Sequence, residues 1–464
     1  MRKNIFILLA LIIGGYALLT LGSGCAQIGF PTGGATDSLP PVLAKASPET
    51  NKLNFTGNKI TLVFDEYVEL KDIQTNLLVS PFPKKNPTIS SNLKTVSIKL
   101  KDTLQPNTTY SIDFGNAIVD VHEGNILRNF TYTFSTGSYI DSLQFGGKVL
   151  IAETGKPDST LMVYLYKNAA DSDITTRKPD YVTRLNAKGI FSFKHLPAGN
   201  FKIYALKDGD GGKTYNSKTE VFAFTEKEIN TEQQADSVGL YAYAEKKEEP
   251  FKSNAPAQKK PAEKKLKYIS SASGRTQDIL VPLNLEFDNG LKTFDSSKII
   301  LSDTNFKPLP NILAVIDSTR KKVTMNVTWV PETNYILVLP KEAFEDSAGN
   351  VLEKTDTIRF STKKTTDYGS LLLRFKNLDL ANHPVVQFLQ NDALKFSFPI
   401  KSAEWSNKLF TPGEYDVRIL YDLNNNGVWD PGNYKEKLQP ERAIALPQKL
   451  AIKADWENER EIQL

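Results

Sequence analysis

A single cysteine, Cys25, occurs in 464 residues. One thiol allows no internal disulfide and no multi-thiolate metal site, so burial must hold the folded part together. Histidine is nearly as scarce: His122, His195 and His383 stand in unrelated contexts, with no His-Glu-x-x-His pair for zinc. There is no Gly-x-Ser-x-Gly elbow, and no glycine-rich loop opens a helix to cradle phosphate. Charge of one sign is not in excess, since 57 Lys and Arg face 53 Asp and Glu for a net +4. That balance lacks the basic footprint of a nucleic-acid binder. After the N-terminus no apolar run is long enough to span a bilayer. No stretch keeps a capped 3.6-residue period. A Ser/His/Asp triad has no fixed sequence order, and neighbouring acids such as Asp65-Glu66 exist, so an envelope hydrolase stays as an alternative. His122 and His195, however, read as loop residues.

What is present begins at residue 1. Arg2 and Lys3 precede an apolar run from Ile5 to Leu21, followed by Gly22-Ser23-Gly24-Cys25-Ala26. A positive start, an apolar centre and small residues before a cleavage point form an export signal. The segment resembles a bacterial lipoprotein signal, with Gly22 where leucine is usual. The resemblance implies a signal peptide over 1–24, lipidation of Cys25, and a tether over 25–38 containing Pro31-Thr32-Gly33-Gly34. An uncleaved anchor and an ordinary secretory signal are the alternatives. Each buried methylene of an acyl chain contributes about 0.8 kcal/mol, so two or three chains anchor stably where one does not. Ala26-Gln27 lacks the Asp that retains lipoproteins at the inner membrane, and Ile28 to Gly34 lacks an acidic surface-export cluster. The expected place is therefore the outer membrane, on its periplasmic face rather than the cell surface.

The remainder reads as all-β. Ile60, Leu62 and Phe64 alternate along one short run, as do Val96, Ile98 and Leu100, then Tyr110, Ile112 and Phe114, then Phe130, Tyr132 and Phe134. Asn, Asp, Gly and Pro clusters separate them. The chain also repeats itself. Pro106-Asn107-Thr108-Thr109-Tyr110 returns as Pro331-Glu332-Thr333-Asn334-Tyr335, Gly124-Asn125-Ile126-Leu127 as Gly349-Asn350-Val351-Leu352, Phe134-Ser135-Thr136 as Phe360-Ser361-Thr362, and Phe64-Asp65 as Phe287-Asp288. A spacing near 225 residues throughout marks a duplicated domain.

Those residues, with Pro40-Pro41-Val42-Leu43 ahead of them, resemble the bacterial Ig-like domain of S-layer proteins and Bacteroidetes lipoproteins, over 39–137 and more loosely over 268–363. Each copy is followed by a second kind of unit. Gly147-Lys148-Val149-Leu150, Met162 to Tyr166, Gly189 to Phe193 and Pro197-Ala198-Gly199-Asn200-Phe201 resemble the carboxypeptidase-regulatory, transthyretin-like sandwich over 141–244. Gly369 to Leu373, Val385 to Leu389 and Pro412-Gly413-Glu414-Tyr415 form a weaker partner over 367–464. Neither family resemblance implies catalytic residues. Between the pairs, 245–267 holds eight Lys, four Glu and three Pro and reads as an extended, mobile linker. The expected architecture is tandem β-sandwiches, two Ig-like and two transthyretin-like, in two pairs with a hinge.

Two loops carry the sharpest chemistry. Asp422-Leu423-Asn424-Asn425-Asn426-Gly427-Val428-Trp429-Asp430 puts oxygens at positions 1, 3, 5 and 9 and Gly at 6, as calcium loops do, but Asn433 stands at position 12 where a bidentate Glu belongs. The duplicate offers Asp208, Asp210 and Asn216 at positions 1, 3 and 9, with Gly212 at 5. Calcium is thus the candidate cofactor, and an Asx-rich turn the alternative. Trp429 and Tyr215 share one position in the two loops. Tyr164, Tyr166, Tyr241 and Tyr243 are candidates for a sugar-stacking face. The reading is a non-catalytic spacer or adhesion module held by lipid; the alternative is a calcium-stiffened module recognising a glycan or an envelope protein.

Overall fold

Alternation of apolar and polar residues becomes the inner and outer faces of short strands. In Lys59–Phe64, Ile60, Leu62 and Phe64 are buried while their neighbours are not. The structure is a computed structural model that describes residues 14–15, 36–233, 237–246, 265–272, 274–310 and 312–464. Cys25, nearly all of 1–24, and most of the tether and linker lie outside them. Among the described residues no helix is long and apolar enough to cross a membrane.

The chain divides into two units, Met1–Ile140 and Asp141–Leu464. The first contains one sandwich. A sheet of Leu43–Ser47, Lys59–Phe64, Thr95–Lys99 and Thr88–Asn92 faces a sheet of Thr131–Ser135, Thr109–Asp113 and Leu78–Ser80. Its core gathers Leu62, Val96, Ile98, Ile112, Tyr132 and Phe134.

The second unit holds three sandwiches, each with its own apolar cluster. Two share one topology. In the first, Leu143–Ile151 lies between Ile190–Leu196 and a parallel last strand, Val238–Ala242; in the other, Gly369–Lys376 lies between Glu404–Phe410 and a parallel last strand, Glu457–Gln463. Their opposing sheets run Tyr181–Arg184, Met162–Lys167, Asn200–Leu206, Phe222–Phe224, and Ala393–Pro399, Pro384–Gln390, Gly413–Tyr421, Arg442–Ala445. The remaining sandwich packs Tyr268–Ser270, Leu283–Phe287, Lys322–Asn326 and Leu313–Ile316 over Thr276–Gln277, Asp356–Thr362, Asn334–Leu339 and Ile300–Ser302. From residue 43 on, the described residues thus form tandem all-β sandwiches.

Two expectations need correction. The described ends of 245–267 are not linker: Glu245 is a nearly buried carboxylate, and Leu266 belongs to the core of the following sandwich. The two pairs are also not independent within 141–464, because the second and fourth sandwiches touch. Ala443 N–H donates to Ala152 C=O (2.8 Å), and the buried Arg418 reaches Glu153 C=O (2.5 Å) while its Nε donates to Gln387 Oε1 (2.7 Å). Gly155, at φ 67°, makes this approach possible, since a Cβ there would lie 2.5 Å from Ala443 O. The third and fourth sandwiches are pinned by Tyr368, whose hydroxyl donates to Asp278 Oδ1 (2.6 Å) and accepts Ile279 N–H (3.0 Å).

Candidate functional site

The strand Gly413–Tyr421 delivers Asp422 into a buried position at the loop's start. Its carboxylate accepts Asn426 N–H (3.1 Å) and Gly427 N–H (2.6 Å), and Gly427 takes φ 83° to close the turn. Asp430 Oδ2 accepts both Asn424 Nδ2 (2.5 Å) and Asn426 Nδ2 (2.7 Å). Asp422, Asn424, Asn426 and Asp430 are therefore brought together. A half-turn of either amide would present oxygen in place of nitrogen.

A residue absent from the sequence reading completes this loop. Glu441, buried just before the strand Arg442–Ala445, accepts Leu423 N–H (2.7 Å) and Asp430 N–H (3.0 Å). Burial pushes its carboxyl above the ordinary range, and Asp422 and Asp430 push it the same way. Position 12 is Asn433, so a carboxylate from outside the twelve-residue window stands beside the loop. Spacing within the loop could not reveal it. Among the described residues, no three acids, His or Cys are gathered as a metal-holding group.

The first loop is organised differently. Lys213 Nζ lies 3.2 Å from Asp208 Oδ2, so a cation of the chain itself sits on the carboxylate. Asp210 accepts Gly212 N–H (2.7 Å) and Asn216 Nδ2 (2.6 Å). Tyr215 stacks on Phe222 with centroids 4.3 Å apart, whereas Trp429 donates its indole N–H to Glu441 C=O (2.7 Å). The shared aromatic position thus contacts its own sandwich by ring stacking in one copy and by a hydrogen bond in the other.

The loop after Asp430 carries the residue that joins two sandwiches. Tyr434 enters the outer face of the second sandwich's sheet that contains Asn200–Leu206 and Phe222–Phe224, its ring 5.1 Å from both Phe222 and Phe224 and 6.0 Å from Tyr204. Its hydroxyl donates to Asp171 C=O (2.7 Å) and accepts from Tyr204 OH (3.1 Å). Lys437 Nζ lies 3.9 Å over the same ring and 3.1 Å from Asp171 Oδ2. Glu245 accepts Tyr434 N–H (3.2 Å) and Tyr215 OH (3.2 Å) and pairs with Lys218 (2.9 Å). Burial alone would raise the Glu245 carboxyl; Lys218 and these donors outweigh it and hold it low. Gly432 is required here because a Cβ would fall 2.6 Å from the Tyr243 ring.

This joint removes the expected sugar-stacking face. Tyr164, Tyr166 and Tyr243 are buried, and Tyr241 stacks beneath Arg442, 5.1 Å from its guanidinium. One signal for it was in the sequence: Met162 to Tyr166 and Phe222 to Phe224 are apolar on both faces, as a sheet covered on both sides must be. The histidines are dispersed over three sandwiches. His122 lies edge-on to Tyr67; His195, expected in a loop, instead lies at positive φ near the end of the strand Ile190–Leu196 with Nδ1 3.0 Å from Asp141 C=O, and His383 sits at positive φ after the turn Leu380–Asn382.

Residues 37–136 match the bacterial Ig-like domain family. No curated protein matches the chain. Among solved structures, the Bacillus anthracis TIE protein aligns at 12% identity over 94% of this chain and 76% of its own, with a TM-score of 0.17. The Bacillus cereus major pilin subunit BcpA aligns at 13% over 69% of this chain and 99% of its own, with a TM-score of 0.16. The N-terminal part of the bacterial S-layer protein SbsC aligns at 14% over 44% of each chain, with a TM-score of 0.16. TM-scores this low carry no weight for arrangement or function. What stands is that the first sandwich is similar to bacterial Ig-like domains.

Proposed function

We propose that this chain is a non-catalytic envelope lipoprotein, held through Cys25 on the periplasmic face of the outer membrane, that serves as a spacer or adhesion module for an envelope protein or glycan. The observation supporting it most is how the polar groups of 141–464 are used. The loop carboxylates, Glu245 and Arg418 are engaged in turns and in the contact between sandwiches, which suits a load-bearing scaffold. The Ig-like match over 37–136 agrees with that role. Feeding expressing cells an alkyne fatty acid tests the anchor. The wild-type chain is expected to take up label and sediment with membranes, and Cys25→Ser to do neither. Label retained by Cys25→Ser overturns the assignment. Protease added to intact cells is expected to spare the protein, and digestion would move it to the cell surface.

A calcium-stiffened module is the second reading, favoured by Glu441 beside the Asp422–Asp430 loop. It applies to that loop and not to Asp208–Asn216, where Lys213 already neutralises Asp208.

A further inference from the structure

The second Ig-like sandwich leaves one strand edge open where the first closes it. Strand Asp356–Thr362 pairs along one side with Asn334–Leu339 over its length, but on its other side Thr276–Gln277 covers only Ser361 and Thr362. Ser361 and Lys363 donate their N–H groups to that side, so by alternation Thr357 and Arg359 turn their backbone groups the same way. Thr357 N–H is capped by its neighbour Asp356 (2.8 Å). Arg359 N–H and C=O have no partner among the described residues. In the first sandwich the equivalent residue is Thr133, two before the serine of the repeated Phe-Ser-Thr. Its C=O accepts Asn51 N–H (2.7 Å), and Thr133 is buried, whereas Arg359 is exposed. There too Tyr132 OH donates to Pro48 C=O (2.9 Å), and the matching residue in the second copy is Ile358.

Beside this edge runs a cleft of about 760 Å³ lined by Tyr268, Ala272, Arg275, Asp356, Ile358 and Arg359. It continues past Arg275 and Arg359 to Asn334 and Ser361. Neither arginine makes an ion pair among the described residues. Asp356 is engaged by Tyr268 OH (2.6 Å), and Glu353 beyond it by Lys265 (2.8 Å). The unanswered charge at the edge is positive.

We propose that the strand edge Asp356–Phe360 accepts an extended acidic segment of a partner protein as an added strand. Main-chain bonds to Arg359 would give affinity, and alternate side chains would point to opposite faces. One set enters the gap between the sheets, against Tyr268, Ala272 and Ile358, and suits valine. The other meets Arg275 and Arg359 and suits glutamate.

Fluorescein-labelled acetyl-(Glu-Val)4-amide, titrated into the purified full-length chain, tests this by anisotropy. Binding is expected for this peptide and not for acetyl-(Lys-Val)4-amide, weakening with salt. Arg275→Glu with Arg359→Glu should weaken it about ten-fold or more, while Arg359→Lys keeps it. Both sites are exposed, so the fold should survive. Arg359→Pro removes the open N–H but no bond to Asn334–Leu339, and should also lose binding. Saturating peptide should slow amide exchange within 356–362. Equal binding of both peptides, indifference to charge reversal, or unchanged exchange in 356–362 overturns the proposal. Dimers in sedimentation, with exchange in 356–362 slowing as chain concentration rises, assign the edge to a second copy and overturn it likewise.

Discussion

Asp120 and Asp346 occupy the same place in two copies of one turn. Asp120 accepts the N–H groups of Glu123, Gly124 and Asn125; Asp346 accepts those of Ala348 and Asn350 together with the amides of Asn289 and Asn350. Both are buried. Burial alone would raise both carboxyls, but the converging donors outweigh it and hold them below the ordinary 3.8. An acid whose folded value is depressed stabilises the fold above its unfolded value, and that contribution disappears as pH falls through the folded value. Asp346→Asn turns one acceptor into a donor facing two amides, so it should cost about 1–3 kcal/mol at pH 7. Asp120→Asn should lower the melting temperature in the same direction. For both, calorimetry from pH 7 down to pH 3 should show the gap to wild type closing with acid. A gap that stays constant with pH would mean that the carboxylate charge is not what these turns use. The repeat of Gly-Asn beside each aspartate was visible in the sequence; that the aspartates are the groups organising the turns was not, because most of their donors are backbone N–H groups.

At the scale of elements, alternation was a reliable guide wherever one face meets a core and the other meets water, as in Lys59–Phe64. It misled where both faces are covered. Tyr164 and Tyr166 point away from their own core, yet they are buried, because a loop and the neighbouring sandwich cover that face. The two Asp/Asn loops illustrate the same limit. Their spacing was legible, but Glu441 beside Asp422 comes from outside the motif, and Lys213, at position 6 where the other loop has Gly427, turns back over Asp208. These two neighbours predict opposite behaviour. Millimolar calcium should raise the melting temperature through the second loop, by roughly 1 kcal/mol or a few degrees for a weak extracellular-type site. Asp422→Asn should abolish the shift and Asp208→Asn should leave it intact. An unmoved wild-type melting curve, or a shift that survives Asp422→Asn, sinks the second-loop site.

At the scale of the whole molecule, the all-β character and the duplication are readable from alternation and repeats, since duplication leaves residue matches. The contact between the second and fourth sandwiches is not, because Tyr434 meets Phe222 and Phe224 some two hundred residues away in sequence and no local pattern encodes it. That contact predicts that the segment 247–264 is dispensable for holding the second and fourth sandwiches together. A site-specific protease sequence substituted for residues 254–260 allows the chain to be cut there after folding. Cutting removes the tether's effective concentration and leaves only the joint. Tyr434 in its aromatic cage, Lys437 on Asp171, and the backbone bond from Ala443 to Ala152 should keep the fragments together at micromolar concentration in gel filtration. Tyr434→Ala removes the central anchor, at about 2–4 kcal/mol for such a residue, and Gly155→Val drives a side chain into the Ala443 backbone. Either change should let the cut fragments separate while each keeps its β-rich circular dichroism. Tyr434→Phe loses the bonds to Asp171 and Tyr204 but keeps the ring, so its fragments should separate only at lower concentration. Separation of the wild-type fragments immediately on cutting would show that the joint needs the tether, and that the hinge expected between the pairs governs the molecule in solution.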